Sequence, residues 1–114
     1  MENLRDVVAQ NNTDFGPTLT AYMCSAADNQ VVLRWASPSG PIPPAPQEVK
    51  LRTAHAVWQT LSDGAVLPEA ALEWMTALHS ELGMSPAAAV RAGEGNKVIS
   101  AAAAFSAQNA PDSF

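Results

Sequence analysis

The chain has one cysteine, Cys24, among its 114 residues. No internal disulfide can form, so packing alone must hold the fold. The lone thiol reads as a small buried hydrophobe in a cytoplasmic protein. Long apolar runs are missing too: no stretch of about 18 apolar residues occurs, and no basic segment followed by an apolar one opens the chain. A soluble protein without a membrane partner is therefore expected. Positive charge is scarce, with six Lys and Arg against eleven Asp and Glu. Residues 1 to 58 carry five acids and four bases, whereas residues 59 to 114 carry six acids and two bases. The second half should repel nucleic acid. Only the first half, through Arg34, Lys50 and Arg52, has cations to bring near a phosphate, so strong nonspecific DNA binding is not expected.

The groupings that catalysis needs are also thin. No Ser or Cys has a recognisable base and elbow context. His55 and His79 lie on separate predicted helices with no Cys or Glu at ligand spacing, which argues against zinc. The segment "GEGNKV" lacks the third glycine and the preceding strand of a dinucleotide fingerprint, and reads as a turn between helices. No enzyme, metal or cofactor is expected.

What is present is helical periodicity. No segment alternates apolar and polar residues as a half-buried strand would, so the expected architecture is all-α, with one domain-sized core around three Trp and three Phe. Leu4, Val7 and Val8 share a face in a helix over 2–10, which "NNTD" should break. Thr13 or Asp14 can cap a short helix over 16–24, with Pro17 in its first turn. Asp28 caps the next, whose inner positions are Val31, Val32 and Trp35. Five of the nine prolines fall in residues 37–46, an extended connection that serves as a rigid linker or as a proline ligand for another protein. Leu51, Ala54, Val57, Trp58 and Leu61 form the stripe of a helix over 47–61, stopped by "SDG". A further helix should start near Leu67 with Pro68, carry Ala71, Met75, Leu78 and Leu82 inward and Glu69, Glu73 and Glu81 outward, and stop at Gly83. Ser85 and Pro86 open a two-turn helix ending at Gly93. Val98, Ala101 or Ala102, and Phe105 then mark a last helix of about three turns. The alanine-rich corner so formed can fold back on the long helices or present a flat face to a partner. The remaining "SAQNAPDSF" has no packing pattern and is expected to be mobile.

The helix, turn and helix over residues 17–36 have the proportions of a helix-turn-helix. In that motif the N-terminal end of the second helix meets base edges. The residues so placed are Asn29, Gln30 and Leu33, with Arg34 near a phosphate; Asn and Gln can bond adenine in a bidentate way. Two features depart from the motif: Ala26 stands where glycine is usual, and Tyr22 stands near a position that prefers small residues. DNA contact and a purely structural scaffold both remain open.

"VVLRWASPSGPIPP" is similar to the ending of the Xre-type helix-turn-helix. "ALEWMTALHSELGMSPAAAVRAGEGNKVISAAAAF" resembles the MbcA/ParS/Xre toxin-binding domain of type II antitoxins, through Trp74, Ser85, Pro86, Arg91, Gly93 and Val98. Together the two resemblances span about residues 17–105. They imply an Xre-like half over 1–62 and a small toxin-binding half over 63–114, sharing one continuous core. They further imply a partner, a RES-domain toxin that consumes NAD, whose active site the antitoxin covers. The toxin-facing residues would be Arg91, Lys97, Ser100, Ala104 and Gln108, followed by Asn109, Asp112, Ser113 and Phe114 in the tail. A site that binds the NAD pyrophosphate is cationic, so Asp112 and the terminal carboxylate suit an anionic plug. The resemblance also implies repression of the protein's own operon, as a homo-oligomer or together with the toxin. The alternative is a stand-alone helix-turn-helix regulator whose C-terminal part serves dimerisation.

Overall fold

The computed structural model describes residues 3–109. They form seven helices: α1 (Leu4–Asp14), α2 (Pro17–Cys24), α3 (Asn29–Ala36), α4 (Ala45–Asp63), α5 (Pro68–Thr76), α6 (Pro86–Arg91) and α7 (Gly95–Asn109). Among the described residues the only β pairing is an isolated bridge between His79 and Met84. No helix among them is long and apolar enough to cross a membrane.

The first helix runs further than its sequence suggests. Asn3 caps it by accepting the Arg5 N–H at 2.8 Å, and Val7 and Val8 are buried on its inner face. The expected break at Asn11–Asp14 does not occur. Asparagines break helices by bonding to their own backbone, but here both amides reach across the fold. Asn11 is fully buried and donates from Nδ2 to the Leu51 carbonyl at 3.0 Å, while Asn12 donates to the Val32 carbonyl at 3.2 Å. Thr13 and Asp14 therefore lie inside α1 rather than capping α2. The chain enters α2 through Gly16, whose φ of 86° disfavours any residue with a Cβ, and Pro17 takes the first turn.

Asp28 caps α3, accepting the Val31 N–H at 3.1 Å, and Val32 and Trp35 are buried beneath it. The proline-rich connection is shorter than expected. Pro44 is still extended, but Ala45 starts α4 with Pro46 in its first turn, a place where the missing N–H has no cost. Arg5 spans this loop, donating from Nη2 to the Gly40 carbonyl at 3.1 Å. The expected stripe of α4 is buried in full: Leu51, Ala54, Val57, Trp58 and Leu61.

The fifth helix stops at Thr76, well before Gly83. Ala77 adopts an extended conformation (φ −90°, ψ 151°). The chain then closes a tight turn in which the His79 N–H donates to the Met84 carbonyl, and the His79 carbonyl accepts from Leu82 and Gly83. Leu78, expected on the buried stripe, is 78% exposed as a result. Ser85 caps α6 by accepting the Ala88 N–H at 3.1 Å. The seventh helix is 15 residues long rather than three turns. Part of the expected tail belongs to it: Ser106 is buried and donates to the Thr60 carbonyl at 3.1 Å.

The buried side chains fall into two neighbouring clusters rather than one. Val8, Ala21, Cys24, Val32, Trp35 and Leu51 make the smaller. The larger joins Phe15 and Met23 to Val57, Trp58 and Leu61 of α4 and to Met75, Val90 and Val98. It therefore crosses the expected boundary at residues 62/63, and α2 and α4 contribute to both clusters. The most extensive helix pairing is α4 against α7, which sets the position of the C-terminal helix.

Candidate functional site

Two surfaces contain the residues singled out in the sequence. The first is the α2–turn–α3 unit. Its left-handed residue is Ser25 (φ 61°), not Ala26, and its N–H returns to the carbonyls of Ala21 and Tyr22. Lys50 from α4 steadies this turn, donating from Nζ to Ser25 Oγ at 3.3 Å. Asn29, Gln30, Leu33 and Arg34 are all exposed on α3. Asn29 is nonetheless tied down, because its Nδ2 donates to Thr18 Oγ1 at 2.8 Å. That bond uses one of the two Nδ2 hydrogens and fixes the orientation in which the amide could meet a base. Two of the three expected cations are also engaged, Lys50 by Ser25 and Arg52 by Glu48 at 2.9 Å, and Arg5 is held by Gly40. Among the described residues, Arg34 is the one side-chain cation of the first half without a hydrogen bond or ion pair. A face with one free cation and Asp28 at its edge attracts phosphate weakly.

The second surface lies between α7 and the turn that follows α5. The early end of α5 turns His79 back toward Trp74, and the two rings meet edge to face at 5.9 Å. On its other side Trp74 stacks on Phe105 of α7, with 5.7 Å between centroids and 24° between planes. Trp74 and His79, with Glu81 and Leu82, form one wall of a groove of about 470 Å³; α7 from Asn96 to Gln108, Phe105 included, forms the other. Four of the expected toxin-facing residues come together here: Lys97, Ser100, Ala104 and Gln108. Their spacing of three, four and four residues makes one stripe along a helix. The small Ala101 lies beside them. Lys97 pairs with Glu94 at 3.4 Å. His79 Nδ1 is buried and has no hydrogen-bond partner among the described residues, so the aromatic end of the groove holds an unsatisfied polar atom, which costs free energy until it finds a partner.

Arg91 is not in this groove. Its guanidinium donates from Nη1 to the Tyr22 carbonyl at 2.7 Å and lies 4.9 Å over the Tyr22 ring. It holds the α6 corner to the C-terminal end of α2, where a cation also opposes the negative end of the helix dipole. Tyr22 is accordingly a docking position for Arg91, which accounts for a large ring in a place that usually takes a small residue. Asn109 ends α7, and Asp112, Ser113 and Phe114 lie outside the described residues.

The sequence pattern did not single out His79, Leu82 or Phe105 as groove residues. A usable signal was Trp74, an aromatic one position off the buried stripe of Ala71 and Met75, which packs at the edge of the larger cluster and is only partly buried. Cys24 offers no nucleophile: burial raises its pKa above the ordinary 9.0 and outweighs the hydrogen bonds and the Lys50 and Arg91 charges that lower it. Among the described residues no three His, Cys, Asp or Glu side chains are grouped to hold a metal. No family model, no curated protein and no solved structure matches this chain.

Proposed function

We propose that this protein is an antitoxin, a helical module that binds a RES-domain enzyme and stops it from consuming NAD. The observation that carries the reading is the convergence of Lys97, Ser100, Ala104 and Gln108 on one groove beside the stacked Trp74 and Phe105. Those four positions follow from a resemblance in sequence, and the groove follows from the fold. A concave surface with an aromatic anchor, small residues on its long wall and polar groups at its ends suits a protein partner.

The test is cellular NAD with the neighbouring reading frame expressed alone and then together with this protein. NAD should collapse in the first case and hold in the second, with the two proteins co-purifying. NAD that never changes, with no complex formed, would refute the reading.

A second reading, as a DNA-binding regulator of its own operon, draws on the exposed α3 stripe of Gln30, Leu33 and Arg34. Its test is salt-sensitive binding of the purified protein, with and without the enzyme, to its own upstream DNA. Absence of any such binding would reduce α1–α4 to a scaffold for α7.

A further inference from the structure

We propose that the groove between α7 and the turn at residues 79–84 receives an amphipathic helix of the partner enzyme, with basic residues beside its apolar face. This rests on the antitoxin reading above.

Backbone chemistry selects a helix. One wall is α7 itself, whose N–H and C=O groups are paired along the helix. The other wall is a tight turn in which the His79 N–H donates to Met84 at 3.1 Å and the His79 carbonyl accepts from Leu82 and Gly83. No strand borders the groove among the described residues, so an extended segment laid between the walls would have no ladder to join and would leave much of its own N–H and C=O unpaired. A helix satisfies its backbone internally and needs only side-chain contacts.

The dimensions agree. From Lys97 to Gln108 the lining runs along three turns of α7, roughly 17 Å. That length matches apolar anchors at i, i+3 or i+4, and i+7 of a facing helix. Ala101 and Ala104 leave room for two helix axes to approach, and the Trp74–Phe105 pair gives an apolar end for an anchoring side chain.

Charge distinguishes the possible occupants. In the described part of the second half Asp63, Glu69, Glu73, Glu81 and Glu94 are all exposed. Of the two cations there, Arg91 is held by Tyr22 and Lys97 by Glu94. Within the lining Glu81 and Lys97 offset each other, so the preference for a basic ligand comes from the net acidity of the half of the chain that carries the groove. A second copy of this chain is equally acidic, and the chain's own last residues bring Asp112. Neither complements the site as a basic helix does.

The test uses two variants of the full chain that place the same charge on neighbouring exposed positions of α7. Ala104 lines the groove and Ala103 does not. Titration calorimetry against the purified enzyme should show Ala104→Glu weakening the complex at least ~30-fold, because the longer side chain holds apart the two helix axes that Ala104 lets approach. Ala103→Glu should stay within about twofold of wild type, with circular dichroism and melting unchanged for both. A photoreactive benzoylphenylalanine in place of Gln108 should cross-link to a basic amphipathic helix of the enzyme. Wild-type affinity for Ala104→Glu, or cross-links to a strand of the enzyme, to a second copy or to residues 110–114, would overturn the proposal while leaving the antitoxin reading standing. Failure of the unmodified chain to bind the enzyme at all would instead bring down that reading, and this proposal with it.

Discussion

Gly64 ends α4 directly under α7, and replacing it with alanine tests whether the two helices approach as closely as described. The backbone there (φ −86°, ψ 13°) accepts any residue, so strain in φ is not the issue. The obstacle is Ser106. A Cβ on Gly64 would lie 2.3 Å from Ser106 Cβ, 2.8 Å from Oγ and 3.0 Å from Cα. Carbon atoms rest about 3.5–4.0 Å apart, so the helices must separate by more than ~1 Å. Overpacking of this kind costs about 1–3 kcal/mol. Loss of the hydrogen bond from Ser106 to the Thr60 carbonyl adds about 1 kcal/mol. The total, about 2–4 kcal/mol, is a large share of a stability of roughly 5–15 kcal/mol. Ser106→Gly should cost about 2 kcal/mol by itself, from the lost hydrogen bond and a glycine inside a helix. In the double variant the Cβ and Oγ clashes are gone and only the Cα approach at 3.0 Å remains. Gly64→Ala should then cost about 1 kcal/mol less than in the wild-type background, or better. Urea unfolding followed by tryptophan fluorescence, with circular dichroism to check two-state behaviour, measures all four proteins. Additivity within ~0.5 kcal/mol would mean that the two helices do not touch there, and that α7 is not seated as described.

Other consequences follow from single residues. Asn11→Asp turns the donor that faces the Leu51 carbonyl into an acceptor inside the core; urea unfolding should show a loss of about 3 kcal/mol or more. Cys24 should resist iodoacetamide in the folded chain and react readily in urea, since it is buried and its thiol is held protonated. Because the folded thiol keeps its proton above the ordinary 9.0 while the unfolded one loses it, the unfolded chain binds fewer protons there. Its contribution to stability is level at lower pH and falls as pH rises past 9.0, a slope that Cys24→Ala should remove in alkaline melts. Arg91→Ala should lower stability by about 1 kcal/mol through loss of the Tyr22 hydrogen bond and ring contact, and Arg91→Lys by less, as read by thermal unfolding.

The pattern of residues revealed much of the fold, and the places where it failed share a cause. Helices defined by a local signal were legible: Asp28 and Ser85 cap where expected, and the α4 stripe from Leu51 to Leu61 is buried in full. The misreadings arise where distant partners decide. Asn11 and Asn12 look like helix breakers until Leu51 and Val32, forty and twenty residues away, accept their amides. Leu78 continues the spacing of Ala71 and Met75, yet the His79–Met84 bridge ends the helix before it. Ser106 has no apolar character to mark it as buried, and its place is set by the close passage of Gly64. The groove shows the same division. Lys97, Ser100, Ala104 and Gln108 are reached through a resemblance in sequence, whereas the wall opposite exists only because the turn after α5 folds back. Arg91, an exposed cation near the end of α6, also ties that helix to α2 through the Tyr22 carbonyl, a contact its sequence position does not announce.

The most direct measurement is the rate at which the purified RES-domain enzyme consumes NAD as this protein is added. An antitoxin acting through the α7 groove should bring the rate to zero near one equivalent per site, and the Ala104→Glu variant should leave it high over the same range. An enzyme that turns over NAD at an undiminished rate in excess of the wild-type chain would contradict the account at its centre.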